Sequence, residues 1–217
     1  EGTLLHALYQ SKQGDNYLSE IPLSYIFSIS DLAIKLEGRA DGIIKNKDNY
    51  IVDEIKTTVD DLSHFRQENL SWHLGQAKCY AYMFAKENNL DYIGVRLTYI
   101  RQGDIKDKLI DSYTFEISEL EDFIYDLLDQ YLEFYHLLEK LRQERDISIS
   151  TMEFPFKNYR KGQKELAKYV YGISKSGGRL FVEAPTGIGK TMSTLYPYIK
   201  SLENNEKGKI FYFLLKT

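Results

Sequence analysis

Two spacings of apolar residues run through this sequence. Tyr92–Ile100 alternates apolar with polar positions, as a strand does, and the β-prone runs Ile21–Ser28, Leu32–Glu37 and Tyr50–Thr57 predict three more strands. Gly38 parts the second run from Arg39–Lys45, and the turn-forming Asn46-Lys47-Asp48-Asn49 precedes the third. Gln102-Gly103-Asp104 predicts a turn that brings the chain back as Lys108–Phe115. The other spacing is helical. Leu4–Tyr9 predicts a short helix after Gly2. Residues from about Glu68 to Glu87 predict a longer one, with Leu70, Leu74, Ala77, Tyr80, Ala81 and Phe84 at its apolar positions. Ser118, three residues before Glu121, predicts a capping box that opens a long amphipathic helix. Its stripe is Leu120, Ile124, Leu127, Leu128, Tyr131, Tyr135, Leu138 and Leu141. The stripe is expected in the core or at an inter-domain contact, because its other face is rich in Asp and Glu rather than in membrane-seeking Lys and Arg.

The pattern changes after the polar stretch Ile147–Pro155. A helix from about Arg160 to Ser174, a strand at Arg179–Glu183, a glycine loop, a helix and a strand at Lys209–Leu215 follow in order. This β-loop-α-β sequence predicts a parallel α/β sheet. Two domains are therefore expected, over residues 1–146 and 156–217, joined by a linker over 147–155.

Composition sharpens this division. The chain has 217 residues and a net charge of −4. Residues 1–146 hold 16 Lys and Arg against 27 Asp and Glu, and residues 147–217 hold 12 against 5. Such an asymmetry suggests two units with different partners. The single cysteine, Cys79, excludes an internal disulfide and a four-cysteine metal cluster, and a reducing cytoplasmic location is the natural expectation. No apolar run approaches the roughly 20 residues that span a bilayer. Glu1–Gln10 has neither the basic flank nor the apolar core of a secretory signal. The first residue is Glu rather than Met, so further residues are expected before it.

The most specific motif is Glu183–Thr191, EAPTGIGKT. Glycines at 187 and 189 let the backbone approach phosphate, and the following helix presents its positive end to the anion. Lys190 is expected at the β/γ-phosphates and the Thr191 hydroxyl on Mg²⁺. Ala184 stands where the strict phosphate-loop pattern has its first glycine. With Tyr159, Arg160 and Gln163 upstream, the segment resembles the opening of the DinG/XPD type of superfamily-two DNA helicases. That resemblance implies an ATP-binding set of Gln163, Thr186, Gly187, Gly189, Lys190 and Thr191, with Gln163 at adenine. No Asp-Glu-x-His or Asp-Glu-x-Asp strand and no arginine finger follow in this chain, so efficient hydrolysis is not expected from these residues alone.

A second constellation lies in residues 1–100. Asp41 ends GRAD at 38–41. Glu54 and Lys56 stand two apart in a strand and so share one face, while Asp53 faces away. Gln76 and Tyr80 are at i and i+4 on one helix face. Two carboxylates suit Mg²⁺ or Mn²⁺, and a nearby lysine suits the charge that builds on a phosphodiester under attack. With Gly2 and His6, the set resembles the RecB-like branch of the PD-(D/E)XK nucleases. Ala40-Asp41 replaces the Pro-Asp of that name. The resemblance implies a restriction-endonuclease-like mixed sheet flanked by helices. It also implies His6, Asp41 and Glu54 as metal ligands and Asp41, Glu54, Lys56, Gln76 and Tyr80 as catalytic residues. His64, His73 and His136 are expected on solvated faces.

Together these features predict a metal-dependent DNA nuclease fused to the start of an ATP-driven helicase motor, acting in DNA repair or processing, with Mg²⁺ or Mn²⁺, ATP and DNA as its partners. Two other readings stand beside it. One is a non-catalytic DNA-binding or docking module attached to a motor. The other is an unrelated phosphate-loop ATPase or kinase with a regulatory domain.

Overall fold

The computed structural model describes residues 2–47, 49–205 and 210–213. Ten elements occur in them: α1 (Gly2–Gln10), β1 (Tyr17–Ile29), β2 (Leu32–Asn46), β3 (Asn49–Thr58), α2 (Leu62–Asn88), β4 (Tyr92–Arg101), β5 (Asp104–Glu116), α3 (Ile117–Thr151), α4 (Gln163–Ser176) and α5 (Lys190–Ser201). Packing divides the chain into two compact units, Glu1–Gln130 and Tyr131–Thr217.

The first unit is built on a mixed five-stranded sheet in the order β1-β2-β3-β4-β5. Neighbours run antiparallel except for β3 and β4, which are parallel and joined by α2 as a crossover. Local chemistry marks the ends of α2. The Asp61 carboxylate accepts from the amides of Ser63 and His64, and Asn89 closes the helix in the left-handed region at φ 53°. Val52, Val95, Leu97 and Tyr99 of the sheet bury against Ala77, Ala81 and Met83 of α2 and Leu120, Ile124 and Leu128 of α3. On the other face, Tyr9 of α1 packs with Ile55 and Ile100.

Several elements differ from expectation. Gly38 does not interrupt β2, which runs unbroken from Leu32 to Asn46. The turn before β3 places Lys47 at φ 53°, and Asp48 lies outside the described residues. The capping box expected from Ser118 and Glu121 does not form, and one half of such a box stands two residues earlier. Glu119 reaches back to accept from the Glu116 amide at 2.8 Å, because the helix begins at Ile117. The stripe of α3 is core only at Leu120, Ile124 and Leu128, whereas Leu127, Tyr131 and Leu141 are exposed. The expected linker is helical as far as Thr151.

In the second unit, α4 and α5 form and pack together. The strand expected at Arg179–Glu183 does not form. The one expected at Lys209–Leu215 is irregular over 210–213, and its ends lie outside the described residues. A parallel strand needs ladder partners and cover on both faces. Here Phe181 and Phe213 are 90% and 89% exposed, so neither segment has that cover. Among the described residues, the parallel sheet of a phosphate-loop domain is therefore absent.

The β2–β3 ladder is short. It runs from Asn46 and Asn49 only to Gly42 and Asp53, while β1 follows β2 on to Leu32. Beyond Gly42 the two strands part, and the sheet forks.

Candidate active site at the fork of the sheet

Asp41 and Glu54 are the first residues past the last β2–β3 pair. A fork strands backbone groups that the ladder would have paired. Side chains take them up. The Asp41 carboxylate accepts from the Ile55 amide at 2.7 Å, and Gln10 donates its side-chain amide to the Asp41 carbonyl at 2.9 Å. The site thus grows out of the interruption of the sheet.

The side chains of Glu54, Lys56, Gln76 and Tyr80 form one chain of hydrogen bonds. Lys56 donates to Glu54 Oε1 at 2.7 Å and to Gln76 Oε1 at 2.9 Å. Gln76 donates to the Tyr80 hydroxyl at 3.0 Å. Tyr80 lies over Gly38, where a Cβ would come within 2.6 Å of its ring. The five residues expected from two strands and a helix are therefore brought to one place. His6 of α1 joins them, with Nδ1 3.6 Å from Asp41 Oδ1.

The electrostatics fit a cation. Glu54 is buried, and its Oε2 is a buried oxygen with no hydrogen-bond partner among the described residues. Burial, then the negative charge of Asp41, raise its carboxyl to about 7, while Lys56 pulls the other way. A divalent ion would satisfy the bare oxygen and relieve the repulsion. The cage is not closed by side chains alone. Among the described residues no three His, Cys, Asp or Glu side chains converge on one point, and Asp41 spends one oxygen on the Ile55 amide.

Asp53 points to the opposite face, into a buried network. Arg96 grips it with two bonds of 2.9 and 2.7 Å, Thr98 donates at 2.8 Å and Tyr17 at 2.9 Å. Arg96 also reaches the hydroxyl of Tyr9 on α1, at 3.3 Å. Gly42 makes room for this, since a Cβ there would lie 2.0 Å from the Tyr17 hydroxyl oxygen.

The sequence did not single out Gln10, and it placed His73 on a solvated face. Gln10 stands at i+4 from His6 on a short helix, a spacing that signals a shared face. His73 is half-buried rather than solvated. It packs on Phe65 and Tyr99, and burial together with the Lys56 charge lowers it to about 4.

In the second unit, Gly187 and Gly189 have φ of 83° and 82°, and Lys190 opens α5. Thr186, Lys190 and Thr191 are exposed, and the Thr191 hydroxyl accepts from Tyr212 at 3.3 Å. Gln163 is buried and used internally. It accepts from the Arg160 amide at 3.0 Å and donates to the Gly189 carbonyl at 3.4 Å, while Arg160 bonds to the Gly187 carbonyl. No helix of the described residues is long and apolar enough to cross a membrane.

Comparison with known proteins adds one specific finding. The sequence family described as the PD-(D/E)XK nuclease superfamily matches residues 2–163. Among curated proteins no match was found. One similar solved structure is that of a protein called SSO0001. It is 24% identical, with a TM-score of 0.40, over 59% of this chain and 58% of that one.

Proposed function

Since the chain belongs to the PD-(D/E)XK nuclease superfamily, we propose that its first unit is a metal-dependent DNA nuclease working at the fork of the sheet. The observation that carries the reading is the bare, buried Glu54 Oε2 beside a second carboxylate and a lysine. Asp41 and Glu54 would hold Mg²⁺ or Mn²⁺, with His6, whose Nδ1 lies 3.6 Å from Asp41 Oδ1, as a further ligand. The bound ion supplies a polarised phosphate and a water of lowered pKa. Lys56 stabilises the charge that gathers on the phosphate. Gln76 accepts from the ammonium as a second partner beside Glu54, and Tyr80 accepts from Gln76. The test is cleavage of single-stranded and duplex DNA with Mg²⁺ or Mn²⁺. Asp41→Ala, Glu54→Ala and Lys56→Ala should each lower the rate by at least about a hundredfold. Activity retained in these variants would overturn the assignment.

A second part of the proposal concerns residues 156–217. We read them as the opening of an ATP-dependent DinG/XPD-like motor attached to a nuclease unit over residues 1–146, in DNA repair or processing. The support is the EAPTGIGKT sequence, two left-handed glycines and the helix beginning at Lys190. Gln163, Thr186, Gly187, Gly189, Lys190 and Thr191 are its nucleotide set. Nucleotide binding that survives Lys190→Ala unchanged would count against it.

A further inference from the structure

The second unit carries a basic and aromatic groove that neither reading uses. Lys164, Lys168, Tyr171 and Lys175 stand at spacings of four, three and four along α4, so they share one helix face. Lys164, Lys168 and Tyr171 form one wall of a groove of about 350 Å³. Tyr159 and, from α5, Tyr196 and Lys200 line the rest, with Glu203 the acid that faces them.

The groove is built rather than incidental. Phe154 lies beneath two of its tyrosines, stacked on Tyr159 at 3.9 Å and edge-on to Tyr196 at 5.3 Å. Lys200 is anchored at its tip by the carbonyls of Ile149 and Ser150. Lys164 and Lys168 are exposed, and Tyr171 is 42% exposed. The region around it is the basic part of the chain, with 12 Lys and Arg against 5 Asp and Glu in residues 147–217.

We propose that this groove binds single-stranded nucleic acid, with Lys164 and Lys168 on successive phosphates and Tyr171 stacked on a base. Cationic side chains that track a backbone, interleaved with exposed rings, are the chemistry that holds unpaired strands without reading sequence. A duplex buries its base faces and would use the lysines alone. As the substrate grip of the nuclease, the groove rests on the reading of the fork given above. As a binding site, it stands by itself.

The experiment measures binding of the full chain to a fluorescein-labelled thymidine 20-mer by anisotropy, in EDTA so that no cleavage occurs. Lys164→Ala/Lys168→Ala should weaken binding about tenfold or more and reduce the slope of log affinity against log salt by about 1.4. Tyr171→Ala should weaken binding roughly fivefold with the salt slope unchanged. Circular dichroism checks that the variants stay folded; the sites are exposed helix positions where Ala is favourable. Affinity and slope unchanged in the lysine variant would overturn the site. A lysine effect without a Tyr171 effect would overturn the single-strand assignment and leave simple polyanion attraction. The fork is scored separately, by cleavage alone: Asp41→Ala should abolish Mn²⁺-dependent cleavage, whereas the groove is scored by the binding of the lysine and Tyr171 variants. A wild type that binds the 20-mer through these residues but cleaves nothing would remove the nuclease reading and spare the groove.

Discussion

The Glu54 carboxylate lies at the fork with one oxygen on Lys56 and the other bare, within the field of Asp41. Its proton is held to about 7 in the fold, against 4.5 when unpaired with its surroundings. Between those values the folded protein binds a proton that the unfolded chain has released. The stabilisation is therefore full below about pH 4.5 and is lost as pH rises through 7. Glu54→Gln keeps the shape and discards the charge. In metal-free buffer it should be more stable than the wild type above pH 7, by on the order of 1–2 kcal/mol, and no more stable near pH 4, in urea unfolding. The same variant should bind no Mn²⁺ at the fork by calorimetry. His73 works in the opposite direction. Its pKa is depressed to about 4 by burial and Lys56, so its contribution is present above the unfolded value of 6.5 and fades as pH falls toward 4. His73→Gln should flatten the acid limb of the stability profile.

At the level of elements, the fork makes Asp41 part of the sheet as well as part of the site. Asp41→Ala leaves the Ile55 amide without its acceptor and should cost about 1–3 kcal/mol. Asp41→Asn keeps a carbonyl oxygen in the same place and should cost less than about 1 kcal/mol, measured by urea unfolding. Both should lose metal. This double duty was not legible in the sequence, although much around it was. Strand alternation placed Glu54 and Lys56 on one face and Asp53 on the other, because side-chain direction in a strand depends on parity alone. Helical spacing likewise paired Gln76 with Tyr80. What sequence could not supply was register. Asp53 meets Arg96 only because β3 and β4 pair in parallel at that position, 43 residues apart. The fork itself is a ladder that stops, and no local pattern marks where a partner strand leaves. The strand expected at 179–183 does not form, and 210–213 is irregular, for the related reason that β propensity states a preference for a neighbour without providing one.

For the whole molecule, the two units differ in how their backbones are tied down. β3 and β4 are central strands with buried faces, whereas 179–185 and 210–213 have no ladder and expose Phe181, Phe211 and Phe213. Hydrogen exchange followed by mass spectrometry should find the slowest amides in β3 and β4 and near-unprotected rates in 179–185. Protection in 179–185 equal to that of β4 would contradict the structure described. The tie between Asp41 and Ile55 also bears on how such a chain drifts once its chemistry is no longer needed. A lineage freed from cleavage would still be selected to keep an oxygen at position 41, as Asp or as Asn, because the fold draws on it. Among the described residues Lys56 bonds only to Glu54 and Gln76, so once a lineage has lost the charge at 54 nothing in the fold draws on the ammonium. Among descendants of this protein, an acid surviving at 41 would be poor testimony to a living enzyme, and the lysine at 56 would be the trustworthy witness.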